Sequence, residues 1–173
     1  ATAGLDLHRE FIQWYFKFLT WELRPTASYQ RHICAVRCIL IALKSGIDSR
    51  VAQSALSKSA PRQVFWPFHL DVVDRKLFHL LLSVLLAPFE DFRQSAAACL
   101  ELYSNACIGD SGDLDRESLL SALAYAESKM LLSGRADHCD GVAHIYAQLS
   151  LRDKTSPGSG TLSLLLGKLQ QAI

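Results

Sequence analysis

Between residues 72 and 107, apolar positions recur at three- and four-residue spacing on both sides of a single proline. Val73, Leu77, Leu80, Leu81, Val84 and Leu85 precede Pro88, and Phe92, Ala96, Cys99, Leu100, Tyr103 and Cys107 follow it. That period is helical, and a proline, lacking an amide, stops the first run. Asp91 is placed to cap the second. The spacing therefore predicts two helices, 72–86 and 90–107, folded back on one another, with Leu81, Leu85, Phe92, Ala96 and Leu100 in their interface. The small run Ala96 to Ala98 would let the helices approach closely.

The same period extends along the chain. Residues 5–22 carry two apolar stripes, Leu7-Phe11-Trp14-Phe18-Trp21 and Ile12-Phe16-Leu19-Leu23, and a helix apolar on two sides is expected to be sandwiched. Pro25 ends it, Thr26 or Ser28 can cap the next helix, and Tyr29-Ile33-Val36-Leu40-Leu43 form its buried stripe until Gly46 terminates it. Residues 47–70 are irregular apart from a short helix expected near 49–57, and this long connection holds an aromatic cluster, Phe65, Trp66 and Phe68. After the turn-rich 109–113 comes a helix over about 115–132 using Leu119-Leu123-Ala126-Met130, with Gly134 as terminator. Asp137 is expected to cap the following helix, whose stripe is Val142-Ile145-Tyr146-Leu149. Residues 152–160 read as a linker and 161–173 as a last helix. No run shows strand-like alternation.

These elements predict an all-α chain, an α-solenoid of HEAT- or armadillo-like antiparallel pairs at 5–46, 71–107 and 115–151 plus a half repeat at 161–173, together one segment of a longer array. The order Pro88, Asp91, Phe92-Arg93, Ala96 resembles the HEAT-repeat signature, in which the turn Asp and the following Arg tie neighbouring repeats together. The 173 residues, half of them apolar, suffice for a sizeable core. Ala1 is not an initiator Met and Ile173 lacks a polar cap, so the chain is read as a slice of a larger protein. Eighteen basic and seventeen acidic residues exclude a global charge excess, so any nucleic-acid contact must come from a local patch. Cys34, Cys38, Cys99 and Cys107 fall on apolar or small-residue stripes and are expected to be reduced core residues. No stretch reaches the roughly 18 apolar residues of a membrane span. A cytoplasmic location, with no membrane partner, is expected.

The chemistry-bearing clusters are weak. His138, Cys139, Asp140 and His144 could suggest a metal, but zinc sites usually pair two separated ligand knuckles and the chain offers no second one. Asp110, Asp113, Asp115 and Glu117 miss the alternate-ligand spacing of a calcium loop, and Gly158-Ser-Gly160 follows no strand that would make it a phosphate loop. No nucleophile, base and orienting acid form a recognisable motif, and no small-molecule substrate is expected. Two features keep a functional reading. On the helix of residues 26–45, Gln30, Arg37 and Lys44 share a stripe at seven-residue spacing, with Arg24, Arg31 and His32 beside its start. This face can be a solvated surface, or can meet phosphates or an acidic partner. The aromatic loop, Phe65, Trp66 and Phe68, can plug its own groove or anchor a partner.

The segments Trp21-Glu-Leu-Arg-Pro-Thr-Ala-Ser-Tyr-Gln-Arg-His-Ile33, Ala87-Pro-Phe-Glu-Asp-Phe-Arg93 and Arg135-Ala-Asp-His-Cys-Asp-Gly-Val142 together resemble the thyroid adenoma-associated (THADA-like) family, and the resemblance covers nearly the whole chain. It implies a very large helical-repeat protein, itself no enzyme, that assists an FtsJ-type methyltransferase in 2'-O-ribose methylation of the tRNA anticodon loop. The implied partners are that methyltransferase and tRNA. S-adenosylmethionine would sit in the partner, leaving this chain without a cofactor. The Arg-Arg-Ser-Ala-Gly-like motif of the family's most recognisable domain is absent, which implies a slice upstream of it. The alternative function is a general protein-interaction scaffold with no RNA role.

Overall fold

In the computed structural model the described residues are 2–54, 65–104 and 112–153, with positions 160, 163 and 167. Among them the chain forms six α-helices and no strand: α1 (Thr2–Glu22), α2 (Tyr29–Lys44), α3 (Arg75–Val84), α4 (Glu90–Ser104), α5 (Gly112–Ser133) and α6 (Ala136–Asp153). Three successive pairs pack across short turns, α1 on α2, α3 on α4 and α5 on α6. The even-numbered helices also pack in series, α2 on α4 and α4 on α6, forming one layer; in the other layer α3 touches α5. Apart from positions 163 and 167, the expected last helix, 161–173, lies outside the described residues, as do 55–64, Cys107 and residues 109–111 of the expected turn at 109–113, whose last two residues open α5.

The core follows the helical period. Leu81, Leu85, Phe92, Ala96 and Leu100 are all buried, as are Leu119, Leu123, Ala126, Val142, Ile145 and Leu149. On α2 the buried row is Ala35, Val36, Ile39 and Leu43, so the helix is rotated slightly from the expected Tyr29-Ile33-Val36-Leu40 stripe, whose other members are half-buried. Gly46 (φ 76°) and Gly134 (φ 61°) occupy the left-handed conformation that ends a helix. A third glycine matters for another reason. A Cβ on Gly141 would come within 2.5 Å of the Leu85 carbonyl oxygen, so only glycine lets α6 lie against the α3–α4 turn.

Several local expectations are corrected. Helix α3 starts at Arg75 rather than 72 because Asp74 caps it, its carboxylate accepting the Leu77 N–H at 2.7 Å. Asp91 is inside the first turn of α4, not at its cap, and Asp137 is likewise inside α6, where Arg135 bonds it and holds its carboxyl down to about 2. Ser28 stands at the α2 cap without a side-chain bond to it. Residues 49–54 of the expected short helix are turns and irregular chain. Among the described cysteines only Cys99 is fully buried: burial pushes its thiol up to about 12, while Cys34 is exposed and Cys38 half-buried.

Ion pairs join the elements. Arg93, buried, donates to Asp140 of α6 at 2.7 Å and to the Ala87 carbonyl at 2.8 Å, which is the inter-repeat tie the HEAT resemblance implies. The connection after α2 is organised by fully buried Asp48. Its carboxylate accepts two bonds from the Arg50 guanidinium (2.9 and 2.8 Å) and one from the Val72 N–H (2.9 Å). Burial alone would raise that carboxyl, but these bonds hold it below the ordinary range. Arg50 also reaches the Val73 carbonyl and faces the Tyr103 ring at 5.3 Å, so one charged pair pins the connection to α3 and α4.

Candidate nucleic-acid interface

The basic residues around α2 differ in how far neighbouring groups already engage them. Arg31 donates through Nε and Nη2 to the carboxylate of Glu22, a buried acid at the end of α1, and this bond holds the guanidinium more firmly protonated. His32 turns inward. Its Nε2–H donates to the Arg24 carbonyl at 2.7 Å, and its ring stacks on Phe92 with centroids 5.2 Å apart and planes 8° from parallel. Arg24 lies over the Trp21 ring, its guanidinium carbon 3.4 Å from the centroid. Arg37 is exposed and reaches Asp91 only loosely, at 3.8 Å. Lys44 is half-buried at the far end of the helix, about 20 Å from Arg31 by the helical rise. Two of the five candidates, Arg31 and His32, therefore serve the α1–α2–α4 junction.

The aromatic loop divides in a similar way. Trp66 Nε1–H donates to the Ser45 carbonyl and hydroxyl oxygens at 3.2 and 3.1 Å, closing the end of α2, and Phe68 packs beside it with centroids 6.1 Å apart. Phe65 is 87% exposed. The plug is thus Trp66 and Phe68, and only Phe65 presents a ring to solvent.

The largest departure is on α1. The Ile12-Phe16-Leu19-Leu23 stripe packs into the core, but Leu7, Phe11, Trp14, Phe18 and Trp21 are 42 to 67% exposed. The expected sandwich is therefore one-sided in the described residues. Along this outer row the rings form a ladder, Phe11 to Trp14 and Trp14 to Phe18 each 5.9 Å between centroids. Beside the ladder runs a polar stripe that the α2 reading overlooked. Arg9, Gln13, Lys17, Thr20 and Arg24 follow one another at three- or four-residue steps, so they share one side of the helix. They line a groove of about 900 Å³ between α1 and the segment His69–Lys76, where Lys76 joins them from the first turn of α3. The stripe follows from sequence spacing alone, between the two apolar stripes of the same helix.

Nothing in the described residues brings three or more metal-type ligands together. Asp140 is held by Arg93, and His138 Nδ1 is 2.7 Å from the Ser133 hydroxyl. No described helix is long and apolar enough to cross a membrane. What the surface offers is a row of cations beside exposed rings.

Comparison with known proteins gives the chain its relatives. A family model described as "Trm732, TPR repeats" matches residues 1–94. TPR units, like the HEAT units inferred from the Pro88 turn, are antiparallel helix pairs. The fission yeast (Schizosaccharomyces pombe) protein named tRNA (32-2'-O)-methyltransferase regulator trm732 is 26% identical over 177 residues, an alignment that spans 100% of this chain and 11% of that protein. The chain thus corresponds to about a tenth of that relative's length. No solved structure matches the chain.

Proposed function

The chain belongs to the Trm732 TPR-repeat family, and from that premise we propose that it is a non-catalytic segment of a regulatory subunit assisting 2'-O-ribose methylation in the tRNA anticodon loop. The observation that carries the reading is the end-to-end similarity to a protein named as a regulator of such a methyltransferase. In this reading a partner of FtsJ type holds S-adenosylmethionine and performs the transfer in the cytoplasm, while the helical array positions tRNA. The wider THADA-like assignment is part of the same proposal and rests on the segments 21–33, 87–93 and 135–142. Positioning suits the architecture, because folded RNA is recognised largely through shape and backbone contacts rather than through a cavity.

The test is reconstitution of the full-length protein with its methyltransferase partner. Methylation of the anticodon-loop ribose is expected only when both proteins are present. Methyl transfer by this protein alone, or undiminished transfer by the partner without it, contradicts the proposal. A second reading, a scaffold that binds protein and ignores tRNA, is favoured by the exposed ring ladder of α1, since contiguous apolar patches of this kind mark protein contacts. A salt-dependent affinity of the full-length protein for tRNA separates the two.

A further inference from the structure

Four cations converge on the groove between α1 and the start of α3, and among the described residues none of them is paired with a carboxylate. Arg9, Lys17 and Arg24 come from α1 and its extension, and Lys76 faces them. The helical rise separates Arg9 from Lys17 by about 12 Å and spreads the row over roughly 20 Å. Two carboxylates also line the groove, yet both are engaged elsewhere. Asp74 caps α3 through the Leu77 N–H at 2.7 Å, and Asp71 lies 3.6 Å from Arg50. Among the described residues, Arg9, Lys17, Arg24 and Lys76 have no carboxylate oxygen within 4 Å.

Trp21 adds the second requirement. Its ring, 56% exposed, stands where the cation row meets the ring ladder, and Arg24 stacks flat on it at 3.4 Å. Alternating guanidinium and aromatic planes beside a basic groove are what proteins use to track a nucleic-acid strand. We infer that this groove is an RNA-backbone site in which Arg9, Lys17, Arg24 and Lys76 meet successive phosphates and Trp21 offers a stacking plane. The inference rests on the proposal that the protein serves tRNA and gives it a surface. RNA uses both features at once, its phosphates meeting the cations while a base stacks on the exposed ring, so RNA is the better fit.

The experiment measures tRNA affinity of the full-length protein against salt concentration for Lys17→Gln, Lys76→Gln and the pair. Each single change is expected to lower the salt slope by about one unit and to weaken tRNAs of different sequence alike, because each phosphate neutralised releases its counterions. Lys17→Arg should retain the wild-type slope. Thermal melting should be unchanged, since both lysines are exposed. Wild-type slopes in the variants, with salt-dependent tRNA binding by the parent, overturn the groove and leave the regulatory role standing. Loss of the methyltransferase with tRNA affinity intact overturns RNA in favour of an acidic protein surface. A parent that neither binds tRNA nor supports methylation overturns both.

Discussion

The junctions between helix pairs and the rim formed by α1 and residues 69–76 are both rich in arginine and lysine, but their charges face different things. At the junctions each cation finds an acid or a carbonyl: Arg31 meets Glu22, Arg50 meets Asp48, and Arg93 meets Asp140 and Ala87. On the rim, Arg9, Lys17 and Lys76 face solvent across an open groove. Spacing on a helix shows where a charge stands; the neighbouring elements decide whether it remains available. Arg31 and Arg37 are six residues apart on one helix, yet the first is locked to a buried carboxylate and the second barely touches one.

If the junctions carry stability and the rim does not, substitutions should sort accordingly. Leu100, fully buried in α4, sets the upper end: Leu100→Ala is expected to lower unfolding free energy by about 2 to 5 kcal/mol through the cavity it leaves. A denaturant midpoint equal to wild type would place the core elsewhere. Asp48→Asn should follow at about 2 to 3 kcal/mol, because Arg50 and the Val72 amide lose a buried charged acceptor. This effect has a pH signature. The folded carboxyl titrates below its unfolded value of about 3.9, so its stabilisation is present above about pH 4 and disappears as pH falls through the lower folded value. The Asn variant should therefore lose less stability than wild type on acidification through that window.

Gly141→Ala tests the α6 junction sterically. The new methyl would meet the Leu85 carbonyl and the Leu86 side chain, at 2.5 and 2.6 Å before relaxation, and about 1 to 3 kcal/mol of destabilisation is expected. At the lower end, Lys17→Ala on the rim should stay within about 0.5 kcal/mol. A larger loss would mean that the rim is held together by its cations and would erase the distinction.

The difference between the two regions also explains what could be read in advance. The helices, the α3–α4 interface and the terminating Gly46 and Gly134 follow from local spacing and backbone preference, so they were legible from the chain. The Arg93–Asp140 tie was legible only through its resemblance to a repeat signature, since its partners are 47 residues apart. The fates of Arg31, His32 and Trp66 depend on Glu22, Phe92 and Ser45 across helix or loop boundaries. Single-helix periodicity does not contain those pairings. The groove was hidden for the same reason, because half of its wall comes from His69 to Lys76, a segment distant in sequence from α1. Gly141 gave no warning, as its crowding is set by the Leu85 carbonyl of another pair.

The central claim is that the rim serves the methylation reaction by holding tRNA, and steady-state kinetics of the reconstituted complex test it most directly. With full-length protein carrying Lys17→Gln and Lys76→Gln, the KM for tRNA should rise several-fold while kcat stays at the wild-type value, the pattern of lost binding that ground state and transition state share. A double variant with wild-type KM would contradict the account.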